Sequence, residues 1–178
     1  MPDIIPLSEV SYLFEDFEHT AWRLQTRQEY PSDRRSVRWK RWQAGETLAY
    51  EADHPWHSNV RAQAEAGKRF ERVRVVDDPP TEGQRFLLAS GLSNAEAGED
   101  VRYLARIDAE RVGLPDGDFW LFDSRILARF HFGEHAATLG VELIEEPSAV
   151  LSACQVRDLA WHYAVRTEEF PKHGLPDR

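Results

Sequence analysis

The feature that most constrains the fold is a change of hydrophobic period after Gly67. Residues 69–76 alternate between apolar and charged side chains, the pattern of a half-buried strand, and Asp77-Asp78-Pro79-Pro80 ends that strand. Thr81 can then cap a helix that runs to Ala97. The period changes again at a second strand, from Val101 to Ile107. A strand, a helix and a strand in succession predict an α/β fold.

The C-terminal half supplies the other elements of the predicted sheet. Phe119 to Phe122 and Ile126 to Phe132 form a strand pair in this interpretation, and Val141 to Ile144 form a further strand. Pro147 can occupy the first turn of a long helix over Ser148 to Val165. The predicted fold class is therefore α/β, with a mixed sheet covered by helices.

Before Gly67 the spacing of apolar residues favours helices. Ser8 to Gln28 carries apolar residues three and four apart, the stripe of an amphipathic helix. Two shorter helices are predicted over Ser36 to Ala44 and His57 to Ala66. We therefore expect one domain, 1–178, in three parts. They are an N-terminal helical segment (1–67), an α/β core (69–165) and a loose tail (170–178).

Composition limits where the protein acts and what it binds. The 178 residues include 22 Lys and Arg against 31 Asp and Glu, a formal net charge of −9. This charge repels a polyanion and disfavours direct binding of nucleic acid. The one cysteine, Cys154, cannot form a disulfide within the chain, which favours a reducing compartment. With no membrane-length apolar run and no signal-peptide pattern, we expect a cytoplasmic protein without a membrane partner.

A basic and aromatic stretch, Arg34 to Trp42, has two interpretations. Interleaved charges and rings can grip single-stranded nucleic acid by stacking and ion pairing. In an acidic chain the same pattern favours a helix docked through Trp39 and Trp42, or a surface that contacts another protein.

Arginines on the two predicted strands are the candidate ligand-binding residues. Arg72 and Arg74 on the first strand could meet Arg102 on the second as a cationic patch for a small anionic ligand. His19, with Trp22 and Arg23 on the first predicted helix, could form part of a binding pocket or be a surface or packing residue, and Trp120 is a further ligand-binding candidate. The alternative is a solvated sheet face on which the arginines pair with neighbouring acids, namely Glu71, Glu99 and Asp100.

From about Arg69 to Ala164, the order of elements resembles one half of the phospholipase D superfamily. The whole chain is also similar to an uncharacterised actinobacterial family that is often found beside helix-turn-helix regulators. The residues that carry the second resemblance lie in 16–21, 71–76, 97–104 and 118–123. The resemblance implies a phospholipase D-like half with an added N-terminal segment. It also implies a helix-turn-helix protein as partner and a homodimer in which two halves face each other.

The resemblance places a degenerate catalytic motif around Asp123. Phospholipase D-like enzymes carry His-x-Lys followed five residues later by Asp, since the His forms the phospho-enzyme and the Lys holds the phosphate charge. Aligning that Asp with Asp123 puts Asp116 at the His position and Asp118 at the Lys position. Carboxylates at both positions would repel a phosphodiester, so phosphodiesterase or phospholipase activity is disfavoured.

Two hypotheses about function follow. In the first, the protein is a non-catalytic regulatory or interaction module of a cytoplasmic bacterial system that binds a small anionic ligand. In the second, it is an enzyme of small-molecule metabolism or biosynthesis that uses Asp118, Asp123 and His131 as acid, base or metal ligands. Asp116 and His135 could add to a metal site, but no recognised metal spacing is present. No cofactor or metal is therefore predicted.

Overall fold

A mixed sheet of seven strands lies between two layers of helices in the computed structural model, which describes residues 1–170. The strands are β1 (Thr20–Gln25), β2 (Arg69–Val76), β3 (Asp100–Ala105), β4 (Phe119–Phe122), β5 (Ile126–Phe132), β6 (Thr138–Ile144) and β7 (Val165–Arg166). The helices are α1 (Leu13–Asp16), α2 (Pro31–Arg34), α3 (Val37–Gln43), α4 (Pro55–Glu65), α5 (Glu82–Ala97), α6 (Arg106–Arg111) and α7 (Pro147–Tyr163). Short 3₁₀ turns lie at Leu7–Val10 and Glu134–Ala136.

The strands are arranged in the order β6-β5-β4-β1-β2-β3-β7, with β1 in the middle. β1, β2 and β3 are parallel neighbours, whereas β4 pairs with β1 in the antiparallel direction. The chain thus builds outward from β1 to β3 and then returns to place β4 on the other side of β1. In open α/β sheets, a reversal of this kind leaves a crevice at the carboxyl ends of the strands.

The prediction of a helix from Ser8 to Gln28 is wrong, and with it the purely helical character of residues 1–67. The segment holds a 3₁₀ turn, the short α1 and then β1, the central strand. Because β1 is covered on both faces, all of its residues but the first are buried. β1 does alternate over Trp22, Arg23, Leu24 and Gln25, but this run is short, and its apolar residues continue the helical spacing of the apolar residues that precede it.

Each face of the sheet packs against its own helices. On one face, Trp22 and Leu24 of β1 pack with α6 and α7. On the other face, Ala21 and Phe70 pack with α1 and α4, while α5 lies over β2 and β3. This second face also carries the polar residues of β1 and β2, which makes it the face of interest for function.

The other elements largely agree with the sequence predictions. The α/β class and the mixed sheet are confirmed, and β4 with β5 forms the predicted strand pair. The second predicted strand ends at Ala105 and not at Ile107, because α6 begins at Arg106. No described helix is long and apolar enough to cross a membrane. The predicted tail, 170–178, lies outside the described residues except for Phe170, whose ring packs 5.2 Å from that of Tyr103.

Two glycines inside α5 allow packing that a side chain would block. A Cβ on Gly83 would lie 2.9 Å from the carbonyl oxygen of Gln28. A Cβ on Gly91 would overlap the hydroxyl oxygen of Tyr103, a buried residue of β3 that donates a hydrogen bond to the Leu87 carbonyl at 3.3 Å. Close contact with the chain after β1 at Gly83, and with β3 at Gly91, therefore accounts for glycine at two positions where helix propensity disfavours it.

The substitution Gly91→Ala should lower the free energy of unfolding by about 1–3 kcal/mol, since it overpacks the α5–β3 contact. The hydroxyl oxygen is the nearest obstructing atom, ahead of Arg74 Nη1 at 3.2 Å and Tyr103 Cζ at 3.3 Å, so the same substitution should cost less in a Tyr103→Phe background. Urea denaturation of the four proteins of this double-mutant cycle measures the difference. An equal cost in both backgrounds would contradict the assigned contact.

Candidate functional site

Asp118 is the most heavily hydrogen-bonded buried carboxylate of the polar sheet face. Its oxygens accept hydrogen bonds from Arg23 Nη2 at 3.0 Å, from the backbone N and the hydroxyl of Thr26 at 2.8 and 3.0 Å, and from the Tyr30 hydroxyl at 2.5 Å. Burial lowers the pKa of Arg23, although the nearby Asp118 charge opposes this shift. Burial and Asp118 together raise the pKa of the Tyr30 hydroxyl far above its usual value. Asp118 therefore serves the internal structure of the protein.

Arg72 and Arg74 are also engaged internally. Arg72 Nε donates to Glu99 Oε1 at 2.5 Å, and its Nη1 donates to Gln25 Oε1 at 2.9 Å. Arg74 Nε donates to the same Gln25 oxygen at 2.8 Å, and its Nη1 donates to the Leu87 carbonyl at 2.6 Å. Both arginines are more than nine-tenths buried, so the pairing with Glu99 foreseen in the sequence exists, but the face is buried and not solvated.

Arg102 does not join Arg72 and Arg74, because the strand register places it on the opposite face. It lies opposite Val73 in the β2–β3 pairing, whereas Arg72 lies opposite Val101. Arg102 instead pairs with Asp100 at 3.0 Å and stacks on the ring of Trp161 in α7 at 3.7 Å. The cationic patch expected from the two rows of arginines is thus divided between the two faces of the sheet.

The two remaining ligand candidates, His19 and Trp120, lie in different surroundings. Trp120 is buried on the polar face, where the Arg72 guanidinium lies 5.2 Å from its ring centroid. His19 is exposed at the amino end of β1, the end away from Asp118. Its backbone N donates to Asp123 Oδ1 at 2.7 Å. The structure therefore groups Trp120 with Arg72 and Arg74, and separates His19 from all three.

The residues of the enzymatic hypothesis do not converge. Asp118 and Asp123 lie at opposite ends of β4, and Asp123 accepts backbone N–H groups from the chain that enters β1. Partial burial would raise the pKa of Asp123, but these three donors outweigh it and lower the pKa. His131 pairs with Glu142 at 3.1 Å. Among residues 1–170, no group of three or more His, Cys, Asp and Glu side chains could hold a metal ion.

The basic and aromatic stretch folds as α2 and α3, and its rings face inward. Trp39 is buried, 5.0 Å from the ring of Phe86 in α5, and Trp42 lies 5.7 Å from the same ring. Arg38 and Arg41 both pair with Glu51. The helix is docked through its two tryptophans, which is one of the arrangements expected from the sequence.

A groove of about 730 Å³ lies at the carboxyl end of β1, where the order of the strands reverses. Its walls come from the chain just after β1, from α6, from the connection that precedes β4, and from the end of β5 with the turn that follows it. A groove of this volume is within the range of small-molecule sites. The fold therefore offers a site at the position where open α/β sheets bind ligands.

Arg27 is the cation in this groove without an internal acceptor. Its guanidinium carbon lies over the ring of Phe132, 4.2 Å from the centroid. Within the described chain it makes no ion pair, and its buried Nε has no hydrogen-bond partner. The other groove arginine, Arg106, pairs with Asp77 and donates to the Thr26 carbonyl at 2.6 Å. Arg27 is thus the group best placed to receive an anion.

The sequence analysis did not single out Arg27, although a signal for it exists. Arg27 follows the end of β1 by two residues, the position at which ligand-binding side chains of parallel sheets occur. Because residues 8–28 were assigned to a helix, the carboxyl end of β1 was not recognised. The tertiary contacts that leave Arg27 free and occupy Arg72 and Arg74 have no counterpart in a local pattern.

Comparison with protein families gives one match. Residues 8–172 match the family model described as a domain of unknown function (DUF6879). No curated protein matches the sequence.

Removal of the buried carboxylate should destabilise the protein strongly. Asp118→Ala leaves Arg23 buried without its counter-charge, so the free energy of unfolding should fall by about 3–5 kcal/mol. Asp116→Ala is the matched control, because Asp116 has a side chain that is 93% exposed and should change stability by less than about 0.5 kcal/mol. Chemical denaturation of both variants checks the difference, and similar losses would contradict the assignment.

A second carboxylate should make stability depend on pH. Burial raises the pKa of Asp33 in α2 to about 6, although the charges of Arg74 and Arg72 oppose this shift. The unfolded chain releases this proton near pH 4, so the folded protein holds more protons between about pH 4 and pH 6 and loses stability as the pH rises. Asp33→Asn should remove this loss. At pH 7 its free energy of unfolding should exceed that of the wild type by about 2 kcal/mol. Denaturation series at pH 4.5 and 7 test this, and parallel pH profiles would refute it.

Proposed function

From the premise that the chain belongs to the DUF6879 family, we propose that it is a non-catalytic regulatory or interaction module that binds a small anionic ligand in the groove beside β1. The observation that carries the proposal is the contrast between Arg27 and the other arginines of this region. Arg23, Arg72, Arg74 and Arg106 all have internal acceptors, whereas Arg27 faces the groove with a buried Nε that has none in the described chain.

The contacts of the enzymatic candidates support a role without catalysis. A general acid or base must reach the same reacting atoms as its partners. Asp118 is saturated by four hydrogen bonds, Asp123 holds the entry of β1, and His131 is paired with Glu142. These three side chains serve three different structural contacts, so no observation favours the enzymatic hypothesis.

An anion in the groove would complete the surroundings of Arg27. An arginine is a strong partner for a carboxylate or phosphate, since its planar fork can donate two parallel hydrogen bonds. Stacking on Phe132 restrains the guanidinium and lowers the entropy lost when an anion binds. In this proposal the anion binds Arg27, which follows β1, and not Arg72 and Arg74 of the neighbouring strand β2.

The setting of the module is part of the proposal. A phospholipase D-like half is supported by the mixed sheet between helices. The resemblance to an actinobacterial family supports a helix-turn-helix protein as partner and a homodimer as the assembled form. The single cysteine supports a cytoplasmic location. In such a system, an occupied groove would signal the presence of the ligand to the partner.

Binding of 3-phenylpropanoate tests the proposal, because this probe has one carboxylate and a ring that can pack on Phe132. Titration followed by backbone amide NMR should shift the signals of Thr26 to Glu29. Arg27→Gln should weaken binding by about tenfold or more, the loss of one charged hydrogen-bonding partner. Arg69→Gln, an exposed arginine at the other end of the sheet, should leave the affinity unchanged. Equal affinity in both variants would refute the proposal.

A further inference from the structure

We infer that the ligand of the groove beside β1 is a small zwitterion, with a cationic group as well as the anion. This inference rests on the proposed function, because Arg27 is taken as the anion site. It adds a second charge of opposite sign to the ligand and thereby names its chemical class. The inference follows from the charged side chains of the groove that have no ion-pair partner within the described chain.

The acidic side chains of the groove outnumber its basic ones. Glu29 pairs with Arg34 at 2.9 Å, and Asp118 is fully bonded within the sheet face. Glu110 makes no ion pair within residues 1–170, and Asp116 has only a distant cation, Arg106 Nη1 at 3.8 Å. Once the internal pairs are removed, one cation, Arg27, and two acids, Glu110 and Asp116, remain for a ligand.

The remaining charges of opposite sign come from different walls of the groove. Arg27 follows β1 and lies on Phe132, whereas Glu110 belongs to the last turn of α6 and Asp116 to the connection after it. A ligand with only an anion would meet the two carboxylates without a compensating charge. A ligand with only a cation would leave Arg27 and its buried Nε unsatisfied.

Another guanidinium with an unpaired donor, that of Arg23, lies behind the groove wall. Arg23 is 4% exposed, and its guanidinium lies 3.8 Å from the ring centroid of Phe130, a residue of the groove wall. Its Nη2 donates to Asp118, but its Nη1 has no partner in the described part of the chain. A buried donor without an acceptor is rare in folded proteins. Because Asp118 balances the charge of Arg23, Arg23 contributes an unpaired donor behind the wall and not a second net charge.

The aromatic wall of the groove suits the apolar body of such a ligand. The rings of Phe130 and Phe132 are stacked, with centroids 5.9 Å apart. The turn beside them holds His135 and Ala136 at φ values of 53° and 60°, in the left-handed region that residues other than glycine seldom occupy. Strained turns of this kind are concentrated at ligand sites. The groove thus joins an aromatic wall and a constrained turn to charges of both signs.

Three forms of one peptide test the inference by isolating each charge. They are Gly-Phe-Gly with both termini free, the N-acetylated peptide with only the carboxylate, and the C-amidated peptide with only the ammonium. Affinities from amide NMR titration should rank the free peptide roughly three- to fivefold above the acetylated one, as expected for one partly exposed ion pair. The amidated peptide should bind more weakly than the free peptide by about tenfold.

Variants of the groove test which residues bind the ammonium group of the peptide. A double variant, Glu110→Gln with Asp116→Asn, should bring the free peptide down to the affinity of the acetylated one and leave the acetylated peptide no weaker. Glu9→Gln is the matched control, because Glu9 is an exposed acid near the N-terminus that does not line the groove, and it should change neither affinity. Thermal denaturation of each variant verifies that the fold is retained.

The outcomes separate the two proposals. If the acetylated peptide binds through Arg27 and the free peptide binds no tighter, the zwitterion is refuted and the anion site stands. If the amidated peptide binds as well as the free one and Arg27→Gln does not change the affinity, the anion site at Arg27 is refuted as well. Absence of binding by all three peptides would refute both.

Discussion

The rest of the structure depends on one buried carboxylate. Asp118 immediately precedes β4, and its oxygens hold Arg23 of β1, Thr26 beyond the end of that strand, and Tyr30 next to α2. A buried carboxylate is stable only where ion pairing and hydrogen bonds replace water, and here the four hydrogen bonds come from three residues between Arg23 and Tyr30. The same set of contacts fixes the pairing of β1 with β4 and the path of the chain that forms the groove.

The polar face of the sheet extends this constraint to β2 and β3. Arg72 and Arg74 share Gln25 of β1, and Glu99 at the start of β3 takes the charge of Arg72. Glu99 also accepts a hydrogen bond from the indole N–H of Trp56 in α4 at 3.0 Å. Buried networks of this kind specify one arrangement of elements, because any other register leaves a charge without its partner. The acid and base pattern of these strands thus encodes the register of the sheet.

The sequence was sufficient for elements whose periodicity and end signals agree, and insufficient where a short strand pattern overlaps a helical spacing. β2, α5 and α7 were predictable, since their periodicity and their turn or capping residues point to the same structure. β1 was not, because its alternation covers only four residues and its apolar residues continue the helical spacing of those before it. The candidate site was lost for the same reason, as Arg27 belongs to the edge of that strand. Arg102 shows the second limit, since a difference of one residue in register decides which face a side chain occupies.

The central place of β1 also determines when the molecule can fold. Thr20 of β1 pairs with Arg69 and Ala21 pairs with Phe122, so the first strand has neither neighbour until much of the chain has been synthesised. On the ribosome the apolar side chains of β1 would stay exposed until β4 has been synthesised and can pair with it. Contacts so distant in sequence slow folding, because the loops must close before any pairing energy is gained. A nascent chain of this protein is therefore vulnerable to aggregation and proteolysis until its second half emerges.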